Sequence, residues 1–371
     1  MMRVAIAGYC TTRFSQDNTP IENLLVSATK QLFEITKNLK QKDIDAVLVS
    51  TNNNKKYLAP ILSEMTGITP KISHSVENMC NSGTNAIVSG FSYIASGMAD
   101  AVLVAGAEQA ENSGQVLEWD MSRGEFQHPI FWGTMFTKAH KRKFGTTDEQ
   151  LAHVSATNHR NAQDNPNAFN PKNYSLQEII DSKKLTEDLR LLHCSRSCTG
   201  SAAVLLVSEK LAKKYTDTPV WIEGIGQKTT SASFTKNDLT QIQSTLEASV
   251  QAYNMAEINP KKIDVAEIHD AFSVCQLMVL EDLGLAQKGK SSEMVMDLYH
   301  TGDRKINPRG GLIGAGHPLG ATGIAQIAEV ASQLQGTAQK RQVPNAKTGL
   351  VQNMSAAGTS STVMEIGRAH V

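Results

Sequence analysis

The chain has 371 residues, with 36 basic against 36 acidic side chains, 40% apolar and 19% charged. Zero net charge with that apolar share excludes a chain too polar to fold, and it removes the basic excess on which general nucleic-acid binding rests. The length exceeds the roughly 250–300 residues at which a single core stops growing, so two packed halves are expected.

In chain order, residues 4–8 (Val-Ala-Ile-Ala-Gly) read as a first strand, too short for a signal-peptide core. A helix is expected over residues 20–40, a strand over 43–49, a Gly-rich turn and small-residue helix over 82–97, and a short apolar strand at 101–105. Residues 116–192 differ in character: polar, with aromatics, with Pro129, Pro166 and Pro171, and with an amphipathic segment at 147–160. They read as a cap inserted over one face. A strand at 202–207 then completes the first half.

The second half repeats the first. Residues 220–226 (Val-Trp-Ile-Glu-Gly-Ile-Gly) echo residues 4–8 at an offset near 218, and residues 262–268 echo 43–49 at an offset of 219 read from Ile44 to Ile263. A helix over 240–255 separates them, and a second Gly-rich turn and helix over 316–335 leads into a strand at 348–352. The expected organisation is an N-terminal half (1–115), the inserted cap (116–192), completion of the first half (193–217) and a C-terminal half (218–371). Alternating strands and helices in both halves predict α/β sheets covered by helices. No stretch approaches the roughly 18–20 apolar residues of a membrane helix, so no membrane span is expected. The five cysteines, Cys10, Cys80, Cys194, Cys198 and Cys275, are odd in number and scattered, which fits a reduced, cytoplasmic setting. Cys194 and Cys198 lack a neighbouring His/Cys pair to complete a zinc site, so no metal is expected.

Three side chains are placed for chemistry. Cys80 directly precedes the helix that opens at Ser82, where backbone N–H groups and the helix dipole favour thiolate. His317 lies in the densest glycine cluster, Gly310 to Gly323, at the start of the corresponding helix of the second half. It would take a thiol proton or donate to an oxyanion. His269 follows the repeated strand at its carboxyl end, where α/β sites assemble. The plain alternatives are a small buried residue filling a turn and structural histidines.

These residues together resemble the thiolase family over nearly the whole chain. Cys80 with Ser82 and Gly83 matches its nucleophile loop, and Gly316-His317-Pro318-Leu319-Gly320-Ala321-Thr322-Gly323 is a near-verbatim match to its second loop. His269-Asp270-Ala271-Phe272 is similar to the third loop of archaeal and sterol-carrier-protein-type thiolases, and residues 188–195 with 200–204 are similar to that subgroup's return from the cap. The resemblance implies the duplicated five-layered α-β-α-β-α fold with an inserted loop domain. It further implies a homodimer or tetramer and ping-pong chemistry on coenzyme A thioesters through acyl-Cys80, with no separate cofactor. Short 3-ketoacyl-CoA such as acetoacetyl-CoA is the substrate class implied. By the same analogy Ser231 and Ser233, within Thr229 to Phe234, line the pantetheine channel, and Gly316 and Ser355 contact substrate.

The pattern also departs from the family. Its fourth loop carries a Cys-x-Gly cysteine, whereas Asn353 stands here, and Ala271 fills the other place where a second cysteine occurs. His269, His317 or Cys275 would have to replace it, or no α-proton transfer occurs and the acyl group moves to an acceptor with its own nucleophile. Thr199 stands where an aspartate is usual. The run Lys138, His140, Lys141, Arg142 and Lys143 offers positive charge to the nucleotide phosphates, or forms a solvated helix face. Two further alternatives remain open: a ketoacyl-synthase-like condensing enzyme, and a non-catalytic subunit in a complex with other acyl-CoA enzymes.

Overall fold

The computed structural model describes residues 2–110, 128–233 and 236–368. The first half contains β1 (Val4–Thr11), α1 (Ile21–Ile35), β2 (Ala46–Ser50), α2 (Leu58–Thr66), β3 (Ile72–Val76), α3 (Ser82–Ala95) and β4 (Ala101–Glu108). The insertion supplies α4 (Ile130–Phe144), α5 (Asp148–Ala162) and α6 (Leu176–Ile180); residues 116–127 of the expected cap lie outside the described residues. The chain then returns through β5 (Gly200–Ser208) and α7 (Glu209–Tyr215). The second half runs β6 (Val220–Thr229), α8 (Gln243–Ala256), β7 (Val265–Glu267), α9 (Ser273–Asp282), α10 (Ser291–Thr301), α11 (Gly311–Ala315), α12 (Leu319–Gln335), β8 (Thr348–Ser355) and β9 (Ser360–Arg368).

Strand order is β3-β2-β4-β5-β1-β6-β9-β8-β7, so the halves meet where β1 pairs with β6 through Ala5–Trp221 and Ile6–Val220. Reading outward from that junction, β1-β5-β4-β2 mirrors β6-β9-β8-β7. The repetition extends to irregularities: a bulge interrupts β1 between Ile6 and Gly8, and another interrupts β6 between Ile222 and Gly224. Asp45 Oδ2 accepts from the N–H groups of Asp100 (2.8 Å) and Ala101 (3.2 Å), and Asp264 Oδ2 accepts from Lys347 (2.8 Å) and Thr348 (3.0 Å). The duplication read from sequence is a duplication of structure.

Layering follows from strands that are apolar on both faces. In β4, Val102 and Val104 join a central core with Ala86 and Ile87 of α3 and Ile324 and Val330 of α12, whereas Leu103 and Ala105 pack outward with Leu25 and Leu32 of α1. In the second half Val351, Met364 and Ile366 face the same central core, while Leu350 and Val363 face Ala248 of α8 and Leu277 of α9. The result is five layers: outer helices, sheet, α3 with α12, sheet, outer helices. Backbones touch in the middle layer because glycine leaves room. A Cβ on Gly323 would lie 2.7 Å from Thr84 N, and one on Gly320 would lie 2.6 Å from Ser50 O.

The inserted helices pack on the second half, α4 against α9 and α5 against α9, α10 and α11. α5 is started by a reciprocal cap, in which Thr147 Oγ1 accepts from Gln150 N–H (3.2 Å) and Gln150 Oε1 accepts from Thr147 N–H (2.9 Å). Among the described residues no helix is long and apolar enough to cross a membrane.

Candidate active site

Cys80 sits in a 3-10 turn, Met79–Asn81, that runs straight into α3. Met79 has a positive φ of 49°, a conformation that costs a side-chain-bearing residue about 1–2 kcal/mol. Three bonds hold it: Met79 N–H donates to Glu77 Oε1 (2.7 Å), Ser82 O–H donates to Met79 O (2.6 Å), and Asn78 N–H donates to Ser82 Oγ (2.8 Å). His317 occupies the equivalent position, two residues before α12. Gly316 turns the chain there at φ +100°, where a Cβ would come within 2.8 Å of Cys198 Sγ. The two helix starts therefore point one reactive side chain each at the junction of the halves.

The pair is in contact: His317 Nε2 lies 3.3 Å from Cys80 Sγ. On the other side of the ring Nδ1 lies 2.8 Å from Thr322 Oγ1, and the Thr322 hydroxyl donates to Pro318 O at 2.9 Å. Thr322 has one proton and it is committed to a carbonyl, so Nδ1 carries the hydrogen of this bond. That leaves the Nε2 lone pair facing the thiol.

His269 follows β7, with its N–H donating to Gln352 Oε1 (3.0 Å) and its ring edge-on to His317 at 5.3 Å between centroids. Its Nδ1 and Asn353 Oδ1 are both buried without a hydrogen-bond partner. Asn353 Nδ2 donates to Gln326 Oε1 (2.6 Å). Cys80, His269 and His317 bring their ligand-type atoms within 4.8 Å of one another, the arrangement among the described residues with the spacing of a metal-binding group.

Electrostatics correct one expectation. Burial pushes the Cys80 thiol up to about 12, with Glu108 and Glu77 adding to the rise. The helix start does not outweigh desolvation, so the resting nucleophile is a thiol. Burial holds His317 well below its ordinary value, with His269 and Arg309 pushing the same way. His269 falls to about 3 through burial. Thiol and neutral imidazole therefore face each other at neutral pH, and the proton must move as the sulfur attacks.

A cavity of about 180 Å³ opens over this pair. Its apolar wall includes Trp132 and Phe136, four residues apart on α4, together with Phe272, Leu319 and Met354. Trp132 and Phe272 meet edge to face at 6.4 Å. Behind it, Asp270 accepts from the N–H groups of Leu312 (2.6 Å) and Ile313 (3.1 Å) and from Asn158 Nδ2 (2.6 Å). This carboxylate ties the His269 loop to α11, the helix that leads into His317. Thr322, Asp270 and the aromatic wall were not singled out in sequence. The signal available for Thr322 was a hydroxyl one turn into a helix whose start carries a histidine.

The other expected residues divide. Ser355 lines the cavity and donates to Asn78 Oδ1 at 3.2 Å. Ser231 and Ser233 bond to each other in the turn after β6, Ser233 N–H donating to Ser231 Oγ (3.2 Å), and neither is on the cavity wall; Phe234 lies outside the described residues. Gly316 shapes the backbone behind His317 and is also not on the wall. Cys194 and Cys275 are on it, with both thiols pushed up to about 12 by burial. The basic run does not form one positive face: His140 is buried against Thr146, Lys141 pairs with Asp148 and Asp188, and Lys143 reaches Asp238. The Thr199 hydroxyl donates to Asp17 O (2.7 Å) and accepts from Ala110 N–H (3.1 Å), so it supplies a local acceptor of its own.

Family models agree with this architecture: "Thiolase, N-terminal domain" matches residues 4–173, and "Thiolase C-terminal domain-like" matches residues 226–368. The chain is 35% identical to an acetyl-CoA acetyltransferase of Methanothermobacter thermautotrophicus, over 98% of this chain and 99% of the relative. It is 35% identical to sterol carrier protein 2 of Oryctolagus cuniculus, over 80% of this chain and 58% of that protein. Among solved structures, an Ltp2-ChsH2(DUF35) aldolase superposes with a TM-score of 0.87 at 23% identity, covering 99% of this chain and 98% of the other, a likeness of fold. With both domain models matched in order and relatives aligned along almost its full length, the chain belongs to the thiolase family.

Proposed function

We propose that the protein is a thiolase-type acyltransferase that works by a ping-pong route through an acyl-Cys80 thioester, cleaving or forming short 3-ketoacyl-CoA such as acetoacetyl-CoA. The observation that carries this reading is the 3.3 Å contact between Cys80 Sγ and a His317 Nε2 whose lone pair is set by Thr322. In the first half-reaction the Cys80 sulfur attacks the acyl carbonyl as Nε2 accepts the thiol proton, and that proton returns to the departing coenzyme A sulfur. The backbone N–H of Cys80 and one from the Asn353–Ser355 segment form the oxyanion site, a donor pair that contributes several kcal/mol in acyl transfer, roughly 3–4 for a single donor. A cavity of about 180 Å³ with an apolar wall suits a short acyl group.

The second half-reaction lacks a second cysteine, and Asn353 has no proton-accepting nitrogen. His269 takes that place, as the unprotonated imidazole beside both other groups. A homodimer or tetramer is the assembly expected, with contact to another acyl-CoA enzyme as a further possibility to be read from co-purification. Acetyl-CoA is incubated with the protein and Cys80 is searched by mass spectrometry for an acetyl adduct. No adduct, or one that survives Cys80→Ala, overturns the reading. His269→Ala is expected to keep the adduct and lose condensation.

A further inference from the structure

Cys80, His269 and His317 all line the cavity over the catalytic pair, and each offers it one donor atom. These atoms lie within 4.8 Å of one another. One sulfur and two imidazole nitrogens, with no oxygen among them, form a set that a borderline-soft divalent cation such as zinc takes and that magnesium or calcium does not. Zinc bonds of about 2.3 Å to sulfur and about 2.0–2.1 Å to nitrogen, at tetrahedral angles, put sulfur and nitrogen about 3.5 Å apart and two nitrogens about 3.4 Å apart. One edge of that triangle is already in place, since Cys80 Sγ and His317 Nε2 are 3.3 Å apart. Closing the other two edges asks the His269 ring to move by roughly 1.5 Å at most.

A metal-binding histidine is oriented by a partner on its other nitrogen. For His317 that partner is Thr322, 2.8 Å from Nδ1, whose own hydroxyl is committed to Pro318 O. For His269 it is Asn353. β7 and β8 pair in parallel with Glu267 opposite Val351, and two residues further along each chain the same register sets His269 beside Asn353. His269 Nδ1 and Asn353 Oδ1 are both enclosed without a hydrogen-bond partner. Asn353 Nδ2 is spent on Gln326 Oε1 at 2.6 Å, so the oxygen is the end left to accept. An Nδ1–H turned onto that oxygen satisfies both atoms and leaves the Nε2 lone pair of His269 on the cavity side. A cysteine at position 353 would offer no such acceptor. The fourth coordination position faces the cavity, which has room for a water.

We propose that Cys80, His269 and His317 form a binding site for one zinc-class divalent cation, which blocks the chain reversibly when it binds. Binding makes one metal–sulfur and two metal–nitrogen bonds; the Cys80 thiol gives its proton to solvent, and both imidazoles enter as neutral donors. The metal ties up the sulfur and the Nε2 that acyl transfer uses. Blockade therefore rests on the acyltransferase reading, whereas binding does not.

The test uses the full-length protein, stripped of metal by a chelator and then titrated with Zn²⁺ against a chromophoric chelator and with Co²⁺ followed by absorption. One Zn²⁺ per chain should bind with a Kd below about 10 µM, and a large excess of Mg²⁺ should not displace it. Co²⁺ should give the intense visible bands of a four-coordinate site and a thiolate-to-cobalt charge-transfer band, which prior alkylation of Cys80 in the wild type removes. Cys80→Ala and His269→Ala should each weaken Zn²⁺ by about 100-fold or more, and Thr322→Val by roughly 10- to 100-fold. Zinc-loaded protein should resist acetylation of Cys80 by acetyl-CoA and regain it when the metal is chelated. Weaker Zn²⁺ binding than that limit, a pale six-coordinate cobalt spectrum, or a folded His269→Ala protein that binds as the wild type does overturns the site. Zinc-loaded protein acetylated at the metal-free rate overturns the blockade. A metal-free protein that is never acetylated overturns the acyltransferase reading instead, and the zinc and cobalt titrations still decide the site.

Discussion

The tautomer of His317 is the most exposed step in the reasoning, and Thr322→Val tests it. Valine keeps the volume of threonine and removes the hydroxyl that lies 2.8 Å from His317 Nδ1, at a position with no solvent exposure. An enclosed N–H without an acceptor costs about 1–3 kcal/mol. The ring can avoid that cost by moving its proton to Nε2, where it points at Cys80 and blocks proton acceptance. At 1.36 kcal/mol per factor of ten, the working tautomer becomes scarcer by roughly 5- to 150-fold. The acetylation rate of Cys80 by acetyl-CoA, followed by quenched-flow mass spectrometry, should fall by that range. Thr322→Ser, which keeps the hydroxyl, should stay within about threefold of wild type. A folded Thr322→Val protein acetylated at the wild-type rate, or a serine variant as slow as the valine one, would refute the tautomer assignment.

Other outcomes follow from the same geometry. With its thiol near 12, Cys80 should be alkylated by iodoacetamide at a rate that climbs through pH 9 without levelling; a plateau between pH 6 and 8 would mean that a thiolate–imidazolium pair already exists. His269 is lowered to about 3 in the fold against roughly 6.5 when unfolded, so the unfolded chain binds the extra proton and stability falls as pH drops below 6.5. Between pH 6.5 and 5 the wild type should therefore lose about 2 kcal/mol more than His269→Asn in urea unfolding, and equal losses would contradict the buried neutral histidine. Gly320→Ala pushes a methyl group to within 2.6 Å of Ser50 O and Thr51 Cα, both backbone, and should destabilise by about 3 kcal/mol or more. An unchanged urea midpoint would show that the middle layer can spread. Asp270→Asn keeps the shape but turns one accepting oxygen into an NH2 group, so the bond from Leu312 or that from Ile313 is lost; condensation should fall while the fold is kept, a result read from activity against circular dichroism.

Much of the architecture was legible because duplication writes the same pattern twice. The echo of residues 43–49 in 262–268 anticipated paired strands whose aspartates, Asp45 and Asp264, cap the start of a neighbouring parallel strand in the same way. Cys80 and His317 were legible for a local reason, as each stands just before a glycine-bearing helix. What was missed depends on contacts between distant segments. Trp132 and Phe136 become a cavity wall only when α4 lies on α9, which no periodicity within α4 reveals. Arg309 reads in sequence as an ordinary surface charge beside two glycines, and only folding encloses it against Glu267. The thiolate expectation failed for a related reason: a dipole can be read from position, while desolvation depends on everything packed around it.

The middle layer has a consequence for how the molecule can come apart. α3 and α12 are drawn from different halves, and their backbones meet at Gly83 and Gly323 with no side chain between them. Each half alone would expose the inner face of its sheet and one uncovered helix, so neither is a self-sufficient unit despite the repeat. Cleavage in the short connector between α7 and β6 would leave two fragments still interlocked. Unfolding should then appear as one cooperative event that removes nucleophile and base together, and no half-folded species should keep partial activity.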